Sequence, residues 1–204
     1  TKYYEVYNQD NVRLVDLNDT PIRRITPTGI ETSAAAHEFD IIIYATGFDA
    51  VTGSFDRIDI RGEGGQKLKE KWANGPRTYL GLQIEGFPNM LTLVGPHNAA
   101  TFCNIPRCIE QNVEWVTDLL RYLRDSDYTT VAPTREAEDT WTEHVYETAA
   151  ELLFTKVDSW FMGINSNVPG KDRRTFLLYA GGAPAYREKC DAVAANGYEG
   201  FMLR

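Results

Sequence analysis

The run Phe39–Ala50, "FDIIIYATGFDA", places four consecutive β-formers at Ile41, Ile42, Ile43 and Tyr44 and then stops on Ala45-Thr46-Gly47. An apolar run without alternation predicts a strand covered on both faces, as in a parallel sheet. Small residues at its carboxyl end let a flat ligand approach the backbone. In open α/β sheets that end is where ligands bind. A second stretch, "GFPNMLTLVGPHNAA", repeats the pattern, with a strand expected over Asn89–Val94 and a stop on Gly95-Pro96. Both strand ends predict an α/β fold with parallel sheet strands and a helical segment.

Outward from these stretches, "NVRLVDL" (Asn11–Leu17) and "IRRITPTGIET" (Ile22–Thr32) read as strands, the latter a hairpin turning at Thr26-Pro27-Thr28-Gly29. "FDRIDIRGEGGQKL" reads as a strand and a glycine turn; it lacks the spacing of a phosphate-binding loop. From Ile105, apolar residues recur at Ile109, Val113, Val116, Leu120 and Leu123, predicting a helix with that face buried, capped by Asn104 and opened by Pro106. A second helix is expected over about Thr134–Leu153, with Ala137, Trp141, Val145, Ala149 and Leu152 inward and Glu136, Glu138 and Asp139 at its electropositive start. A short helix over about Pro184–Asn196 closes on Gly197.

The 204 residues, 43% hydrophobic and 25% charged, are those of a globular protein. A net charge of −8 argues against a nucleic-acid surface. No window is long and apolar enough to span a bilayer, and "TKYYEVYNQD" lacks the apolar core of a signal peptide, so no membrane partner and a cytoplasmic location are expected. Cys103, Cys108 and Cys190 suit a reducing compartment rather than a disulfide scaffold, and Cys103, Cys108 and His97 lack the spacing of a metal site. His97 and His144 are expected to be solvated. The opening "TKYYEVYNQDNVRLVDL" reads as the middle of a domain, and a fragment is expected.

Four stretches, "YATGFD", "GPHNAATFCNIPRCIEQNVEWV", "KEKWANGPRTYLGL" and "SWFMGINSNVPGK", together resemble the C-terminal portion of a type I Baeyer–Villiger monooxygenase. The resemblance runs from Tyr3 to Phe201, in the family's order. It implies FAD and NADP(H) as cofactors, a small hydrophobic ketone and O2 as substrates, and an N-terminal part of the same enzyme as partner. It divides the chain into residues 1–45, the tail of an NADP-binding domain, and 46–204, the C-terminal part of an FAD-binding domain with a helical segment and a mobile loop.

Carried over, the resemblance places Ala45, Thr46, Gly47, Phe48 and Asp49 beside both cofactors and sets Asn104 and Ile105 at the flavin ring. Trp160 and Lys171 belong to the loop that covers NADP(H). Thr101, Phe102, Cys103, Ile105 and Trp160 line the ketone pocket. Asn165 and Asn167 compete for one role in the loop. The family's catalytic arginine is expected before Thr1, and no catalytic side chain is expected within the chain. The alternatives are a nitrogen- or sulfur-oxidising flavin monooxygenase, or a non-catalytic fragment.

Overall fold

Thr26 pairs with Gly29 across Pro27-Thr28, closing the expected hairpin between β1 (Ile22–Thr26) and β2 (Gly29–Thr32). β3 (Ala36–Glu38) adds to β2, also antiparallel. Gly29 is required here, since a β-carbon would meet the His37 carbonyl oxygen at 1.9 Å. The structure, a computed structural model, describes residues 2–204; the side chains of Ala100 and Thr101 are outside the described set. The chain forms two compact units, one ending at Gly47 and the other Phe48–Arg204. A single helical turn, α1 (Tyr3–Val6), and the three strands make up the regular secondary structure of the first.

The second unit opens with two one-turn helices, α2 (Gly53–Asp56) and α3 (Leu68–Lys71). Three longer ones follow: α4 (Ile105–Asp125), α5 (Arg135–Ala149) and α6 (Ala183–Ala195). Between and after them, β4 (Val131–Pro133) pairs antiparallel with β5 (Phe201–Leu203). The main core joins Trp115, Leu119 and Leu123 of α4 to Trp141 and Val145 of α5, with Tyr186 and Cys190 of α6 and the Phe176–Tyr179 segment. Leu68, Trp72, Ile84 and Phe87 make a smaller core around α3.

All strand pairs among the described residues are antiparallel, so the expected parallel strands are not present among them. Residues 39–46 form no strand, and Ile41, Ile43 and Tyr44 are 79%, 84% and 67% exposed. A doubly covered strand exists only when hydrogen-bonding neighbours flank it, and the described residues supply none. Asn11–Leu17 is likewise irregular, and Asn89–Val94 makes a single bridge, Leu91 to Gln83.

The buried face of α4 is Cys108, Asn112, Trp115, Leu119 and Leu123, while Ile109, Val113 and Leu120 are exposed. Leu123 is buried as expected and Val116 packs partly against the core, while Cys108, Asn112 and Leu119 take the places expected of Ile109, Val113 and Leu120. Trp115 decides it, because its large ring enters the core and its Nε1–H donates to the Cys190 carbonyl at 2.8 Å. Asn104 caps α4, accepting from the Arg107 N–H at 3.4 Å, and Thr134 caps α5, accepting from Ala137 N–H at 3.1 Å.

Glu138 stands in the first turn of α5, as expected, and is buried there. Its carboxylate accepts from the Glu85 N–H at 2.8 Å and lies 3.1 Å from the Lys71 ammonium. Burial nevertheless raises its pKa, with the Lys71 charge working against the rise.

Candidate functional site

The turn after the Gly-Pro stop is strained and held from several sides. Val94 and His97 take left-handed backbone conformations, φ 56° and 66°, which a β-branched residue adopts only at a cost on the order of 1–3 kcal/mol. Gly95 has no room for a side chain, since a β-carbon would meet the Gly81 carbonyl oxygen at 2.7 Å. The Val94 N–H donates to the Asn112 carboxamide oxygen at 3.0 Å, and the Asn98 carboxamide donates to the same oxygen at 2.9 Å. Asn98 also donates to the Tyr186 hydroxyl at 2.7 Å, which donates to the Leu80 carbonyl at 2.7 Å. One buried chain of polar groups thereby fixes the turn to α4, α6 and the Leu80 segment.

His97 is fully buried rather than solvated. Its Nε2 lies 3.1 Å from the Phe176 carbonyl and its backbone N–H donates to Leu177 O at 2.9 Å. The carbonyl requires the proton on Nε2, so the ring is a neutral donor. Burial pushes its pKa down to about 4, helped by the Arg77 charge and opposed by the Phe176 carbonyl. His144 is also half-covered, with Nε2 at 3.2 Å from the Tyr179 hydroxyl, and burial lowers its pKa.

Beyond this turn, aromatic side chains from two loops meet. Phe102 lies over Phe161, centroids 6.2 Å apart, and beside Phe154 at 5.8 Å. Phe161 stacks on Phe154 at 4.8 Å and on Trp160 at 4.1 Å. Phe102 and Trp160 remain 38% and 44% exposed, so their outer surfaces are open to a ligand. The resemblance named those two; Phe154 and Phe161 were missed, although both lie within seven residues of Trp160.

Next to Phe102, Asn104 and Ile105 form the exposed start of α4. Asn104 spends its side chain on the Arg107 N–H, and the Ile105 N–H has no acceptor among the described residues. The first helical turn brings the sulfur atoms of Cys103 and Cys108 against each other, with Cα atoms 6.9 Å apart. Cys190 is buried, and burial raises its thiol pKa to about 12. The Thr101 side chain lies outside the described residues.

Of the remaining expected site residues, Ala45, Thr46 and Gly47 are exposed at the end of the first unit, and a β-carbon on Gly47 would meet nothing within 4 Å. Phe48 is 92% exposed. Asp49 and Lys171 come together, with Oδ1 to Nζ at 3.6 Å, and Lys171 also reaches Asp56 at 2.9 Å and Thr52 at 2.7 Å. Asn165 donates to the Phe48 carbonyl at 3.4 Å and accepts from the Asn167 N–H at 3.1 Å.

No protein-family model matches the chain. It is 50% identical over 203 residues to 2-oxo-Delta(3)-4,5,5-trimethylcyclopentenylacetyl-CoA monooxygenase of Pseudomonas putida, a match covering 100% of this chain and 37% of that protein. It is 42% identical over 201 residues to a Baeyer–Villiger monooxygenase of Pseudooceanicola batsensis, covering 98% of this chain and 36% of the relative. A crystal structure of OTEMO in complex with FAD and NADP superposes on all of this chain and 37% of its own, with a TM-score of 0.87 at 49% identity. The chain therefore spans a little over a third of the length of the relatives it matches. Among the described residues no helix is long and apolar enough to cross a membrane. In sequence and in fold, the chain is homologous over its whole length to one portion of the Baeyer–Villiger monooxygenases.

Proposed function

We propose that this chain supplies the ketone-side wall and the flavin-edge turn of an FAD- and NADPH-dependent Baeyer–Villiger monooxygenase, which converts a ketone and O2 into an ester or lactone. The observation that carries the reading is the half-exposed aromatic surface of Phe102 and Trp160, joined through Phe161, with Phe102 three residues before the exposed Ile105 that opens α4. A flat, electron-rich ring edge fits there. A helix start offers an unengaged donor and a partial positive charge, and the aromatic faces accept an apolar substrate.

Bound FAD would supply the redox chemistry, passing electrons from NADPH to O2 so that one oxygen atom enters beside the carbonyl and the other leaves as water. Ile105 N–H would hold an acceptor atom of the ring, while the Asn104 cap is taken up by the Arg107 N–H. Phe102 and Trp160 orient the ketone and exclude water, which strengthens every electrostatic interaction within. Ala45-Thr46-Gly47, with space over Gly47, would let cofactor approach the backbone. The Trp160 loop, through Asn165 and Lys171, would cover NADP(H).

Full-length protein turned over with NADPH, a cyclic ketone and 18O2 tests this. One labelled atom in a lactone is expected. A sulfoxide or N-oxide from added thioether or amine, with no lactone from any ketone, would move the assignment to heteroatom oxidation.

A further inference from the structure

Lys171 lies between two carboxylates that belong to a different part of the second unit. Its ammonium is 2.9 Å from Asp56, 2.7 Å from the Thr52 hydroxyl and 3.6 Å from Asp49. The side chains of Lys171, Asp49 and Asp56 are 19%, 12% and 26% exposed, so water screens the attraction less than at an open surface. The catch is built around a glycine. A β-carbon on Gly53 would overlap the Asp49 carboxylate carbon at 2.4 Å, so only glycine lets Asp49 reach across α2 toward Lys171.

The segment that Lys171 ends is closed on itself. The Asn165 N–H donates to Lys171 O at 2.8 Å, Val168 N–H to Asn165 O at 3.0 Å, and Lys171 N–H to Val168 O at 3.2 Å. Gly163 and Gly170 sit at its two ends with φ of 69° and 82°, torsions that glycine leaves readily. Three residues before it comes Trp160, whose turn is closed by the Gly163 N–H on Trp160 O at 3.1 Å. The loop is thus a compact ring tied at its far end by the Lys171 side chain, with a longer bond from Asn165 to the Phe48 carbonyl at 3.4 Å.

We propose that Lys171 with Asp49, Asp56 and Thr52 is the latch that fixes the Gly163–Lys171 loop, and that Lys171 acts as a positioning residue for Trp160 rather than as a ligand of the cofactor. A latch of opposite charges holds a segment in one place yet releases it when the cation withdraws, which suits a cover that must open between turnovers. The role of Trp160 rests on the proposed function; the latch itself does not.

Hydrogen exchange in the full-length holoenzyme tests the latch directly. In Lys171→Met the amides of Asn165, Val168 and Lys171 should exchange about tenfold or more faster, while those of Trp115–Leu123 keep the parent rate. Asp56→Asn should give a smaller acceleration at the same amides, and Lys171→Arg should restore near-parent protection. Loop amides unchanged in Lys171→Met, or acceleration spread equally into α4, would overturn the latch. Release of NADP+ measured by stopped flow is the second readout. Faster release in Lys171→Met, rescued by Lys171→Arg, extends the latch to cofactor retention. Faster loop exchange with unchanged release leaves the latch standing and removes the loop from the NADP site.

Discussion

The rings of Phe102 and Phe161 lie within 17° of parallel, with centroids 6.2 Å apart. Phe161 thus carries contact from the turn before α4 to Trp160. Under the proposed function, Phe102→Ala opens space on the ketone side and shifts preference toward bulkier ketones. One side chain in an apolar pocket is worth about 1–3 kcal/mol in discrimination, roughly 10- to 200-fold. Specificity constants for a small and a large cyclic ketone read the shift; equal ratios for variant and parent would take Phe102 out of the pocket.

Trp160→Ala removes the outer ring of the stack without touching any group at the start of α4. Flavin content should stay at the parent level, while the fraction of NADPH oxidation that yields ester falls. Unchanged coupling between NADPH use and product would reduce Trp160 to packing.

Buried, neutral His97 makes the fold acid-sensitive. Its folded pKa of about 4 lies below the ordinary 6.5, so the unfolded chain binds the extra proton first as pH falls. Stability from this group is fully present above pH 6.5 and is lost progressively down to about pH 4, by on the order of 3 kcal/mol. Urea unfolding of parent and His97→Gln across this range should show the parent losing more on acidification. Parallel curves would mean that His97 is not the sensitive group.

Lys71 is the cation facing Glu138, which is 2% exposed. Lys71→Met should destabilise by about 3–5 kcal/mol at neutral pH, since it strands a buried carboxylate. The raised pKa of Glu138 gives the sign: its contribution is most favourable at low pH, where the carboxyl is protonated, and declines as pH rises through the folded pKa. The deficit of Lys71→Met relative to parent should shrink on acidification, and Glu138→Gln in the same chain should recover much of it. A constant deficit at all pH values would assign the loss to packing of the lysine stem.

Local signals were read well from the sequence, and partners at a distance were not. The turn at Pro27-Thr28, the caps at Asn104 and Thr134 and the helix stop at Gly197 are each settled by neighbours in the chain, and each forms. Phe39–Thr46 depends on strands beside it, and the described residues offer none, so Phe39, Ile41, Ile43 and Tyr44 lie exposed. α4 carries two apolar stripes, and periodicity alone does not say which meets the core. Trp115 and its bond to Cys190 do. At the site, Phe102 and Trp160 were reached through resemblance, whereas Phe161 between them shows only in three dimensions. His97 looked like a surface residue after a Gly-Pro turn because its acceptor, Phe176, is 79 residues away.

The continuous stack from Phe102 through Phe161 to Trp160 gives the two loops a shared fate. Under the proposed function, widening the Phe102 side would loosen Phe161 beneath Trp160, and stiffening the Trp160 loop would press back on Phe102. A mutant library at Phe102 should therefore be screened for hydrogen peroxide escape alongside conversion, because variants that admit larger ketones will tend to waste reductant. Second-site changes at Phe154, which touches both Phe102 and Phe161, are the natural place to restore the balance.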